Sequence, residues 1–285
     1  MKKLLIKILL KIGFLSYFNI NFKISINNRN FKIPLLGKLG LYNLSITEPW
    51  MVQLLTHLFA VQKGTFLDIG VNVGQTLLKV KSVSPDIQYI GFEPNPSCLH
   101  YTKQLVRLNN FSAVDIIPVG LSTQNGILSL LLFNDTESDS GASIVENFRA
   151  SSSVKSKIHV PIFTLETVQE SIALSDVGFI KIDVEGAELE VLQSCKAMMI
   201  QNNPIVIIEI LPAYNQENRN RIERQEAIEK MMQELNYSIY RTIKTDQLKG
   251  LQKIDHIGIH SDLNACEYVF LPNHLSAKVQ QLLVN

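Results

Sequence analysis

Thr65-Phe66-Leu67-Asp68-Ile69-Gly70-Val71-Asn72-Val73-Gly74-Gln75-Thr76 decides the fold of this chain. Its apolar run stops where Gly70 and Gly74 admit unusual backbone angles, and a helix is expected from about Gln75. The stretch therefore reads as a buried strand over 65–69, a glycine turn and a helix N-terminus. Such a junction turns backbone N–H groups and the positive end of a helix dipole toward the carboxyl edge of a parallel sheet, where nucleotide-like ligands bind. Asp68 adds a strand-end carboxylate, which repels phosphate and favours a cationic group. A dinucleotide fingerprint needs G-x-G-x-x-G. Counting from Gly70, this chain has Asn72 and Gln75 in the other two glycine positions.

Downstream, Gln88-Tyr89-Ile90-Gly91-Phe92-Glu93-Pro94-Asn95-Pro96 reads as a second strand ending in Glu93. An acid at the end of that strand, roughly 20 residues past the glycine turn, can accept hydrogen bonds from both ribose hydroxyls of a nucleoside. Residues 96–109 predict a helix, 114–119 a third strand followed by the turn at Gly120-Leu121, and 128–133 a strand pair. The acidic stretch 134–142 is expected to be a solvated loop, 160–163 a strand and 165–172 a helix.

A second dense site follows: Gly178-Phe179-Ile180-Lys181-Ile182-Asp183-Val184-Glu185-Gly186-Ala187-Glu188. A strand ends in Asp183, turns through Glu185-Gly186 and continues as a helix. Residues 204–209 form another strand ending in Glu209, and 221–235 another helix. Strands alternating with helices imply an α/β fold, a parallel sheet with helices on both faces. That sheet brings Asp68, Glu93, Asp183, Glu185 and Glu209 to one edge. Carboxylates gathered there are explained by a cationic ligand, a metal ion or a general base. For Asp183 and Glu185 the structural alternative is capping of the helix that begins near Gly186.

The chain has 285 residues, 46% hydrophobic and 19% charged, enough for one core with additions. A net charge of +1 from 27 basic and 26 acidic residues lacks the basic excess of a nucleic-acid binder. Cys98, Cys195 and Cys266 form no C-x-x-C pair, which suggests neither a zinc site nor a disulfide framework and fits reduced cytoplasmic thiols. Residues 1–18 set Lys3, Lys7 and Lys11 opposite leucines and isoleucines, the pattern of an amphipathic helix rather than a membrane span or a secretory signal. Its partner is the protein's own core, a second subunit in a homo-oligomer, or an anionic membrane at the cytoplasmic face. Residues 19–42 read as short strands and turns, and Glu48-Pro49-Trp50 opens a helix, with Trp50 as a core anchor. The organisation expected is an accessory cap over 1–60 and a main domain over 61–285.

LDIGVNVGQT, FEPNP, KIDVEGAELEVL and IVIIEI, in that order, resemble the FkbM family of S-adenosylmethionine-dependent methyltransferases over about residues 65–211. Val71 stands where the family usually has Ala. The resemblance implies a class I (Rossmann-like) methyltransferase fold: a seven-stranded, mostly parallel sheet whose reversed last strand the segment Cys266-Glu267-Tyr268-Val269-Phe270 can supply. It also implies an O-methyltransferase, with a sugar hydroxyl of a polysaccharide, glycolipid or related metabolite as the acceptor. Asp68 and the turn Gly70, Asn72 and Gly74 then suit the methionine end of S-adenosylmethionine, Glu93 its ribose, and Pro94, Asn95, Gly120 and Leu121 its adenine. Asp183, Glu185 and Lys181 form the expected reacting end, with a divalent cation between Asp183 and Glu209 as the rival to a general base. A non-catalytic nucleoside-binding module and a nicotinamide-dependent oxidoreductase are the alternative functions.

Overall fold

The computed structural model describes residues 19–133 and 154–284. The expected helix over 1–18 and the acidic loop over 134–142 lie outside the described residues. The chain opens with a hairpin of β1 (Asn19–Ile26) and β2 (Arg29–Leu36), joined through Asn27 and Asn28 at φ 50 and 60. Asparagine tolerates this left-handed backbone, and two such residues match the twist of a tight hairpin. α1 (Pro49–Val61) then leads into alternating strands and helices: β3 (Thr65–Ile69), α2 (Gln75–Val83), β4 (Tyr89–Phe92), α3 (Pro96–Asn109) and β5 (Val114–Ile117).

β6 (Gly120–Leu121), β7 (Gly126–Leu132) and β8 (Ser156–Phe163) form a separate three-stranded sheet, followed by α4 (Leu165–Gln169). The chain returns to the main sheet with β9 (Val177–Ile182), α5 (Glu188–Asn202), β10 (Ile205–Glu209) and α6 (Arg219–Glu234). It finishes with β11 (Tyr237–Lys244), β12 (Leu248–Ile254), β13 (Glu267–Pro272) and α7 (Asn273–Val284).

The main sheet runs β12-β11-β13-β10-β9-β3-β4-β5. β5, β4, β3, β9 and β10 are mutually parallel, and β13 enters antiparallel between β10 and β11. This is the class I methyltransferase order with its reversed strand, which the segment beginning at Cys266 supplies as expected. β12 adds an eighth strand at the edge by a hairpin with β11. Strand order reverses between β3 and β9, and ligand crevices form where adjacent crossovers leave in opposite directions.

Period-2 alternation determines what each sheet face carries. On one face Phe66, Phe179, Ile205, Ile207, Val269 and Leu271 pack against Trp50, Leu54 and Leu58 of α1 and against α2 and α7. α1 is thus part of the main core, so residue 60 falls inside a helix that covers the sheet. The hairpin packs Ile26, Phe31 and Ile33 on Tyr101 and Leu105 of α3. The opposite sheet face holds Leu67, Ile180, Ile182 and Ile208 under α5 and α6. Among the described residues no helix is long and apolar enough to cross a membrane.

Candidate active site

The face that carries Phe66, Phe179, Ile207 and Val269 in its core changes character one step nearer the carboxyl edge. There the same alternation places Asp68, Lys181, Glu209 and Glu267. Above them opens a cavity of about 340 Å³, at the reversal between β3 and β9.

The β3–α2 turn forms one wall. Gly70 has φ +92 and donates its N–H to Phe92 O at 3.0 Å, and a Cβ there would stand 1.9 Å from the Asp183 carbonyl oxygen. Glycine is therefore required for the two strand ends to approach. Asn72 follows at φ 49 and donates its backbone N–H to Glu93 Oε2 at 2.6 Å. The other Glu93 oxygen accepts from Asn95 N at 2.7 Å, while the Asn95 side chain caps α3 through Ser97 N. Glu93 is 6% exposed and held from both sides, so its remaining lone pairs are fixed where it lines the cavity. Burial, opposed by those two N–H donors, pushes its carboxyl up to about 7.

Gly70, Asn72, Glu93, Pro94, Asn95, Gly120 and Leu121, the residues the sequence offered for the cofactor, all line the cavity. Asp68 and Gly74 are not among its lining residues. Asp68 is fully buried, accepts a hydrogen bond from the Tyr89 hydroxyl and lies 3.5 Å from Lys181 Nζ. The alternation that places it on this face also sets it beneath the cavity floor, between β4 and β9. Gly74, at φ +75, precedes α2 and faces Leu105 and Thr102 of α3, so it shapes the helix start.

The other wall is acidic. Lys181, Asp183, Glu185 and Glu209 line the cavity, with Lys181 Nζ 3.0 Å from Asp183 Oδ2. Burial of Lys181 is outweighed by Asp183 and Asp68, which hold the ammonium above its ordinary range. Glu185 at φ 51 and Gly186 at φ 110 form the turn into α5; Glu188 folds back to accept from Gly186 N at 2.7 Å, and the N-cap position, Ala187, has no side-chain cap hydrogen bond. Glu209 faces Glu267 across the β10–β13 ladder. Burial first, then Asp183, Glu185 and Glu267, push Glu209 up to about 9. Among the described residues no group of three or more His, Cys, Asp or Glu is placed to hold a metal ion.

Two lining acids were not foreseen as site residues. Glu48 precedes α1 and pairs with buried Lys79 of α2 at 2.6 Å, and Glu267 pairs with Lys244 at 2.8 Å. An acid before proline and an acid opening a strand were the only local signals, and both are common on surfaces.

The methyltransferase FkbM domain family matches residues 68–239. Methyltransferase 1 of Beauveria bassiana (strain ARSEF 2860) is 26% identical over 140 residues, 45% of this chain and 56% of that protein. Methyltransferase sdnD of Sordaria araneosa is 28% identical over 151 residues, 45% of this chain and 58% of that protein. The chain thus spans little more than half the length of these relatives. The crystal structure of methyltransferase FkbM from Methylobacillus flagellatus KT aligns with 73% of this chain and 43% of its own, at 14% identity and a TM-score of 0.46.

Proposed function

The chain belongs to the methyltransferase FkbM domain family, and from that premise we propose that it is an S-adenosylmethionine-dependent O-methyltransferase acting on a sugar hydroxyl of a glycan, glycolipid or related metabolite. The observation that carries the cofactor reading is Glu93. Its carboxylate is pinned by two backbone N–H groups and has acceptor capacity left for the two hydroxyls of a ribose. Gly70 leaves room for close approach beside it, and the acidic wall suits a sulfonium and an α-ammonium. Gly70 and Asn72 would hold the methionine end, Glu93 the ribose, and Pro94, Asn95, Gly120 and Leu121 the adenine.

Bound S-adenosylmethionine supplies an electrophilic methyl group. What the protein must add is orientation of the acceptor oxygen and removal of its proton. Asp183 and Glu185, at the mouth of the β9–α5 turn, are the bases within the cavity. Glu209, whose carboxyl burial and the neighbouring acids push upward, would offer the acceptor a hydrogen bond instead of taking its proton. Lys244 on Glu267 and Lys79 on Glu48 partly balance the acidic wall. The acceptor class rests on what the resemblance to the FkbM family implies.

The test is transfer of labelled methyl from S-adenosylmethionine to a glycan extract, with and without chelator. Label in a base-stable sugar methyl ether supports the reading. Binding of the cofactor without any transfer would point to a binding module. Activity lost to chelator and restored by Mg²⁺ or Mn²⁺ would replace the base with a metal ion.

A further inference from the structure

Asp68 is the strand-end acid of the chain's most recognisable segment, yet it lies beneath the cavity, fully buried. Its Oδ2 accepts from the Tyr89 hydroxyl, itself fully buried on the neighbouring strand β4. Among the described residues its Oδ1 has no hydrogen-bond partner; it lies 3.5 Å from Lys181 Nζ, on the other neighbouring strand β9. Lys181 in turn stands 3.0 Å from Oδ2 of Asp183, whose side chain is 38% exposed. Four side chains, three from adjacent strands and one just past the end of β9, therefore run from a dry interior to the cavity: Tyr89, Asp68, Lys181 and Asp183. Register makes this possible, because Asp68 lies level with Gly91 on β4 and with Lys181 on β9. Gly91 carries no side chain, and a Cβ there would stand 2.4 Å from Val71 Cγ2, 2.9 Å from Ile116 Cδ1 and 3.2 Å from the Tyr89 ring.

We infer that Tyr89, Asp68 and Lys181 form a buried positioning chain that fixes the Asp183 carboxylate at the cavity, and that Asp68 serves Asp183 through Lys181 instead of touching the cofactor. An unpaired carboxylate in such a site is costly, so Asp68 holds Lys181 charged and in place. Lys181, shared between two carboxylates, restricts the rotamers of the more exposed Asp183. Tyr89 fixes the far end. Without the chain Asp183 would swing between the cavity and solvent, and a misplaced base loses rate steeply.

The inference rests on the methyl-transfer reading, and the arms of its test separate the two. In calorimetry with S-adenosylhomocysteine, Asp68→Asn should change the dissociation constant by less than about threefold, whereas loss of a direct ionic contact would weaken it by about tenfold or more and overturn the inference. In the glycan-extract assay, Asp68→Asn should lower turnover by about 10–100-fold with KM little changed. The same substitution placed on Asp183→Asn should add almost nothing, because both act on one carboxylate. Additive losses would overturn the chain. Tyr89→Phe, which removes only a hydroxyl, guards against a folding defect and should give a smaller loss of the same kind. Lysine-selective carbon NMR reads the chain without an acceptor. The signal absent from Lys181→Met should move in both Asp68→Asn and Asp183→Asn, and a signal indifferent to Asp68→Asn would refute the link. Wild-type protein that fails to bind S-adenosylhomocysteine would refute the methyltransferase reading, while the NMR arm still decides the chain.

Discussion

Replacing Glu93 by glutamine keeps the shape of the side chain and changes only its hydrogen-bond chemistry. In the native site both carboxylate oxygens accept from backbone, Oε2 from Asn72 N at 2.6 Å and Oε1 from Asn95 N at 2.7 Å. An amide has one oxygen and one NH₂, so whichever way it turns, a donor faces a donor. The residue is 6% exposed, so water has little room to relieve the conflict. One bond to a charged acceptor is lost on the protein side, worth about 1.5–3 kcal/mol, and a second of similar size is lost to a ribose hydroxyl. Only the second appears directly in binding, which gives about a 10–150-fold weaker dissociation constant at about 1.4 kcal/mol per decade. Calorimetry with S-adenosylmethionine at about pH 8 measures it, since the native carboxyl, pushed up to about 7, is then ionised. Wild-type affinity should weaken as pH falls through about 7, because a protonated Glu93 has less acceptor capacity, while Glu93→Gln should respond little. Equal affinities for the folded variant and wild type, or a flat wild-type profile, would refute the ribose assignment.

Isosteric removal of the base, as Asp183→Asn or Glu185→Gln, should slow methyl transfer by about 10²–10⁴-fold in whichever variant carries it, with cofactor binding retained. Full activity in both would leave no base among them. Gly70→Ala adds a Cβ 1.9 Å from Asp183 O at φ +92, so calorimetric scanning should show a loss of at least about 1–3 kcal/mol and cofactor binding should vanish. An unchanged melting temperature would show that the turn can yield. Glu209 binds its proton more tightly folded, at about 9, than unfolded, at about 4.3. Its contribution to stability is therefore complete below about pH 4.3 and is lost as pH rises through about 9. Glu209→Gln should accordingly melt nearer to wild type at about pH 6 and show a shallower decline toward about pH 9.5. Parallel declines in the two proteins would contradict the burial of that charge.

The sequence by itself determined the elements whose cause is local. Apolar runs ending at Gly70, Glu93, Asp183 and Glu209 marked parallel strands, and the strands Thr65–Ile69 and Ile205–Glu209 stand where the pattern put them. The helix starts at Gln75 and Pro96 also follow local causes, a left-handed glycine in one case and an asparagine cap before proline in the other. Glu93 was legible as a cavity residue because its two restraining N–H groups come from its own motif and from the glycine turn.

Tertiary structure alone decided the rest, because sequence period fixes which face a side chain takes and not which strand lies beside it. Asp68 was expected at the rim. Strand pairing put it between Tyr89 and Lys181, where burial holds its carboxyl above the ordinary range against the pull of Lys181. Glu48 and Glu267 reach the same cavity from a helix start and from the reversed strand, far apart in the chain. The β11–β12 hairpin is not legible in the sequence because its outer strand lies at the sheet edge and mixes partly and fully exposed positions without a regular period, leaving no apolar run to announce it. What no local pattern encodes is the packing of β3 between β4 and β9, and that packing sets Asp68 between the Tyr89 hydroxyl and Lys181, which in turn pairs with Asp183.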